Sequence, residues 1–132
     1  MPHIKSPLFS HSVTTWLLVL TVAWIAPTFA AEDNRVVMTD QLSFQPKVLK
    51  IKVGETVTWV NKSVMPHTAT ADPAKASMAQ SVSLPEGAKT FDSGMLQKGE
   101  SYNHTFTEPG RYHYFCIPHE GAKMYGVVEV SE

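Results

Sequence analysis

Between residues 47 and 53 apolar and basic side chains alternate, so that Leu49, Ile51 and Val53 face one way while Lys50 and Lys52 face the other. That period of two is the mark of a strand with one wet face. Gly54-Glu55 interrupts it, and Thr56-Val57-Thr58-Trp59-Val60 resumes it with β-branched and aromatic residues suited to a pleated surface. The pair reads as a hairpin. Ser101–Phe106 alternates again, Glu108-Pro109-Gly110 turns the chain, and Arg111–Cys116 returns with Tyr112, Tyr114 and Cys116 on a shared face. Arg35–Thr39 predicts the first strand, Phe44-Gln45-Pro46 a corner after it, and Gly126–Val130 the last strand. Residues 72–89 carry Ala, Ser and Pro without alternation, and Pro73–Gln80 reads as a loop or short helix outside the sheet core. Short strands punctuated by turns, with no long amphipathic helix, predict an all-β fold, a Greek-key β-sandwich.

The first thirty residues do not share this pattern. Lys5 gives a basic start, Val13–Ile25 is apolar, and Thr28-Phe29-Ala30 supplies the small residues of a signal-peptidase site. Residues 1–30 are therefore expected to be a cleaved signal peptide and residues 31–132 one domain, large enough for a single core. The apolar stretch is shorter than the ~20 residues of a membrane-spanning helix, so no stable span is expected after processing. The leader removes Lys5 from eleven basic residues, leaving ten against twelve acidic ones. Such balance argues against nucleic acid or a strongly charged membrane as partner.

Export changes the meaning of the one cysteine in the chain. A lone thiol in an oxidising compartment cannot staple its own fold and is open to oxidation unless something protects it. Cys116 heads the run Cys116-Ile117-Pro118-His119-Glu120-Gly121-Ala122-Lys123-Met124, between the ends of two predicted strands. The intervening residues must form a loop whose ends are close, with Pro118 stiffening its start and Gly121 permitting a bend. Thiolate, imidazole and thioether then come from one turn. Together they favour copper over oxygen-loving cations. His67, entering from the strand that ends at Val60 and preceded by Pro66, is the candidate fourth ligand, giving His67, Cys116 and His119 with a weak axial Met124.

The Cys116-x2-His119-x4-Met124 spacing together with Pro66-His67 resembles the cupredoxins, the type 1 blue copper proteins of the plastocyanin, pseudoazurin and amicyanin group. The likeness spans most of residues 35–131. The Cys-to-Met loop has plastocyanin and pseudoazurin length, whereas Glu55–Asn61 and Val64–His67 look more like amicyanin. Plastocyanins commonly place Asn directly after the first histidine to tie the two ligand loops. Thr68 stands here, and its hydroxyl can make part of that link. The resemblance implies one copper ion cycling between Cu(I) and Cu(II), and a monomeric periplasmic carrier rather than an enzyme. Redox proteins such as a c-type cytochrome or a dehydrogenase would dock transiently near His119. A copper delivery or storage protein with the same fold is the alternative. A Cys116–histidine nucleophile pair lacks an orienting third residue.

The remaining candidates read as structural. His104 shares a face with Tyr102 and Phe106 and is expected to lean inward on a local hydrogen bond. His113 should point outward. Met38, Met78 and Met95 read as gap-fillers or loop residues. Met65, Pro66, Pro118 and Ala122 are expected to form an apolar docking patch around the edge of His119.

Overall fold

The computed structural model describes residues 2–3 and 33–132. The expected leader and its junction at Ala30–Ala31 lie outside the described residues, among which no helix is long and apolar enough to cross a membrane.

Nine strands are seen among the described residues: β1 (Arg35–Met38), β2 (Phe44–Gln45), β3 (Val48–Lys52), β4 (Thr56–Asn61), β5 (Thr70–Ala71), β6 (Phe91–Asp92), β7 (Ser101–Thr105), β8 (Gly110–Phe115) and β9 (Tyr125–Ser131). They form two sheets, ordered β2-β1-β4-β7 and β3-β9-β8-β5-β6. Both sheets are mixed, β1 running parallel to β4 and β3 parallel to β9. The predicted β-sandwich is the observed fold.

The predicted β3–β4 hairpin is not formed. β3 pairs with β9, and β4 with β1 and β7, so the two lie in different sheets. Gly54, at φ +89°, turns the chain from one layer to the other, its N–H donating to Phe106 O at 2.7 Å. Alternation shows which face is wet but does not name the neighbouring strand. Val53 falls in this crossing and is 40% exposed, whereas Ile51 takes the buried position expected of it. The segment after Asp72 is two 3-10 turns, Pro73–Lys75 and Ala79–Ser81. The two-residue strands β5 and β6 were beyond the pattern, because two residues cannot display a period.

The sheets close on an aromatic core. Trp59 of one layer meets Tyr114 of the other edge-on at 5.4 Å, and Phe91, Phe106 and Tyr112 extend the cluster. Burial of phenylalanines such as Phe44, Phe106 and Phe115 is worth about 1.5–3 kcal/mol each. Tyr112, Tyr114 and Cys116 share the buried face of β8 and its exit, as their spacing predicts. His104 differs from expectation: its neighbours are rings, Phe91 at 4.4 Å and Phe106 edge-on at 4.9 Å, where a hydrogen bond had been expected. His113 is half-buried, with Arg111 Nε donating to its Nε2 at 3.1 Å.

Two predictions follow from this packing. A Cβ on Gly126 would collide with the Tyr114 ring and hydroxyl, so Gly126→Ala should destabilise the fold by about 1–3 kcal/mol in urea unfolding; an unchanged midpoint would contradict the packing. The second concerns Asp92. Burial alone would raise its carboxyl, but the Lys75 ammonium, the Thr70 hydroxyl and the Gly94 N–H hold it below the ordinary 3.8. The stabilisation is fully present above that ordinary value and is lost as pH falls through the lower folded one. Stability measured from neutral pH downward should therefore fall less steeply at the acid end for Asp92→Asn than for the wild type, and equal slopes would refute it.

Candidate metal centre

Three loops meet at one end of the sandwich, and backbone hydrogen bonds set each. The chain from β8 to β9 closes when Cys116 N–H donates to Met124 O at 3.0 Å, while Met124 N–H donates to His119 O at 3.2 Å and His119 N–H to Cys116 O at 3.1 Å. Between them runs a 3-10 segment, Ile117–Ala122, ended by Lys123 in the left-handed region at φ 58°. The sequence-predicted tight loop is thus present. His67 is fixed from another direction: it exchanges backbone bonds with Leu96, at 3.2 and 2.8 Å.

The loop entering His67 is held by polar side chains that the sequence did not single out. Buried Asn61 donates from Nδ2 to Met65 O and Leu96 O, both at 2.8 Å, and accepts the Ser63 N–H at 2.8 Å. Asp40 accepts from the Ser63 hydroxyl at 2.7 Å and the Val64 N–H at 2.9 Å, which hold its carboxyl below the usual range. An Asn at a strand end reads as a turn residue, which its Ser63 and Met65 bonds fit, but its bond to Leu96 and those of Asp40 to Ser63 and Val64 span more than twenty residues. Thr68 makes the link expected of it, its Oγ1 accepting the Ile117 N–H at 2.9 Å. Its own N–H donates to Cys116 Sγ at 3.3 Å.

These ties bring three donor atoms together. His67 Nδ1 and His119 Nδ1 are 3.1 Å apart, and Cys116 Sγ lies 3.6 Å from the first and 3.4 Å from the second. A point equidistant from all three is about 2 Å from each, close to the bond length of imidazole nitrogen on a first-row metal. His67 and Cys116 are fully buried and His119 half-buried. Met124, 1% exposed, is tied through its backbone to both Cys116 and His119. Three of the sequence-predicted donors, His67, Cys116 and His119, therefore converge, and Met124 is tied to their loop by its backbone.

The electrostatics suit a metal. Burial pushes His67 below its ordinary value and nearby His119 adds to this, against the opposing pull of the Thr39 carbonyl and Asp40. Its imidazole is thus neutral with a lone pair to give. Burial pushes the Cys116 thiol up, although hydrogen bonding from Thr68 opposes the rise. A buried thiol is inert when protonated and becomes a strong donor when a metal displaces the proton. Two imidazole nitrogens and one sulfur match copper in its blue-copper setting.

A family model for copper binding proteins, the plastocyanin/azurin family, matches residues 31–131. This chain is a cupredoxin of that family. Among its relatives, plastocyanin from Nostoc punctiforme is 37% identical, over 93% of this chain and 92% of that protein. Amicyanin from Paracoccus denitrificans is 33% identical, over 83% of this chain and 78% of that protein. Among solved structures, a pseudoazurin from Sinorhizobium aligns with a TM-score of 0.59 at 31% identity, covering 74% of this chain and 72% of that one. The cupredoxin's cofactor is copper, and the converging donors fit it.

Several apolar residues are exposed on the loops that carry the donors of the cupredoxin. Pro66, Pro118 and Ala122 are exposed and Met65 half-buried, as the sequence implied. Val64 and Met95 join them at 71% and 54% exposure, Met95 being carried there by the pairing of Leu96 with His67. Met38 is a core residue. The Thr68 tether generates a prediction. Thr68→Val leaves the Ile117 N–H without its acceptor and should cost about 1–3 kcal/mol in unfolding of the copper-free protein, whereas Thr68→Ser should retain most of the stability; equal losses in the two variants would contradict the tether.

Proposed function

We propose that this cupredoxin is an exported one-electron carrier whose copper would be held by His67, Cys116 and His119, with Met124 as a weak fourth donor. The observation that supports it most directly is the convergence of two Nδ1 atoms and one Sγ within 3.6 Å of one another, in a scaffold that already fixes each. Copper when bound supplies one-electron chemistry between Cu(I) and Cu(II).

The residues of the chain do the rest. Cys116 loses its proton on metal binding and receives the Thr68 N–H at its sulfur, which fixes the orientation of that donor. His67, buried and neutral, stays in place through its pairing with Leu96. Burial of His67, Cys116 and Met124 keeps water from the site. His119 is the half-exposed member of the set, so its ring brings the edge of the site to the surface. The apolar rim of Val64, Pro66, Met95, Pro118 and Ala122 around it is a surface that a redox partner can cover and leave quickly, as weak electron-transfer encounters require. Partners of the class of a c-type cytochrome or a dehydrogenase fit that role.

Residues 1–30 then act as the leader that delivers a domain of residues 31–132 to the periplasm, where it works as a monomer. That compartment suits a lone cysteine protected by metal.

Adding Cu(II) to the purified domain tests the assignment. An intense visible thiolate-to-copper charge-transfer band should appear, and Cys116→Ser should abolish it. A pale, weakly absorbing adduct would favour the copper delivery or storage reading, and no copper uptake would contradict both.

A further inference from the structure

Five residues of the ligand loop face solvent: Ile117, Pro118, Gly121, Ala122 and Lys123. The carboxylate among them does not, for Glu120 is 5% exposed. Burying a carboxylate is costly unless hydrogen bonds replace its water. Here the replacement is bidentate, Oε2 accepting the Ser77 N–H at 3.0 Å and Oε1 the Met78 N–H at 2.9 Å. Those two N–H groups stand between the 3-10 turns Pro73–Lys75 and Ala79–Ser81.

The backbone of the same residue is also engaged. Glu120 O accepts the Lys123 N–H at 2.9 Å and the Tyr125 hydroxyl at 3.4 Å, and Ser81 Oγ donates to that hydroxyl at 3.2 Å. The loop is thereby fastened to residues 77–81 through side chain and main chain together. His119 lies immediately before this fastening. Its backbone departs from helical geometry, at φ −119° and ψ 23°, so the loop bends there. On one side of the bend Cys116 is anchored at the end of β8, and on the other Glu120 is anchored by its carboxylate.

We propose, resting on the copper reading above, that Glu120 is a positioning residue for His119: its carboxylate latches Ser77 and Met78 to the ligand loop and so fixes the direction in which the His119 ring presents Nδ1. The segment after β5 thereby serves the metal site, although none of it enters the donor set.

Glu120→Gln keeps the size of the side chain but turns an NH2 toward one of the two N–H groups, and Glu120→Ala removes both acceptors. Losing one such charge-assisted bond should raise the opening equilibrium about tenfold. In the copper-free Gln variant, amide hydrogen exchange at Ser77 and Met78 should therefore quicken about tenfold. In the copper-loaded variant, Cu(II) loss to excess chelator should quicken by a similar factor, and the charge-transfer band should change shape while the ligands remain the same. Glu120→Asp, which keeps the charge but shortens the reach, should fall between wild type and Gln. Unchanged exchange would show that no latch exists. Faster exchange with the wild-type spectrum and copper-release rate would overturn the positioning role and leave the bonds to order the 72–82 segment alone. Absence of the band from the wild-type protein would overturn the copper reading itself, and this proposal with it. Should the Ala variant fail to fold, the Gln and Asp variants carry the decision.

Discussion

Three lone-pair atoms held within 3.6 Å of one another, two of them fully buried, are an unfavourable arrangement for a protein to keep unless the backbone imposes it. Imidazoles facing each other through Nδ1 gain one hydrogen bond at most, and the thiol beside them is a weak partner. What holds them is a set of bonds from main-chain N–H groups that do not involve the donor atoms: Cys116 to Met124, His67 to Leu96, and Ile117 to the Thr68 hydroxyl. The crowding is therefore a property of the scaffold. His67, Cys116 and His119 would be relieved of it by holding one copper ion, to which all three could give their lone pairs.

The sandwich makes that imposition possible. Its two layers share an aromatic core in which Trp59 and Tyr114 meet across the interface, and β8 runs from that core directly into Cys116. A strand packed so tightly that Gly126 must lack a side chain leaves little freedom to the residue at its end. The ligand positions thus inherit the stiffness of the core. For a site that changes oxidation state, a scaffold that resists rearrangement keeps the geometry of both states similar, which is what fast electron exchange needs. The loop around His119 is where the surface opens, and there the Glu120 carboxylate reaches inward.

The legible part of the site was the part confined to a short stretch of chain. Cys116, His119 and Met124 stand in one loop, so spacing alone brings them together, and strand alternation in β3, β4 and β8 marked the faces that bury Ile51, Trp59 and Tyr114. His67 is 49 residues from Cys116 and could be attached only through its chemical type and the resemblance, yet its Nδ1 stands 3.6 Å from the thiol sulfur. The pairing of strands was less legible. A glycine corner looks the same whether the chain folds back beside itself or crosses to the opposite sheet, and Gly54 does the second. Asn61, Asp40 and Glu120 were silent because their partners, such as Leu96, Val64 and Met78, are 24 to 42 residues away. A polar residue that braces a distant loop has no local signature.

Crystal structures of the copper-free and copper-loaded domain at the same pH would test the central claim most directly. The account predicts one copper bonded to His67 Nδ1, Cys116 Sγ and His119 Nδ1, with these donor atoms displaced by less than about 0.5 Å between the two states. Copper seated elsewhere, or a copper-free protein in which His67 and Cys116 point apart until the metal gathers them, would contradict it.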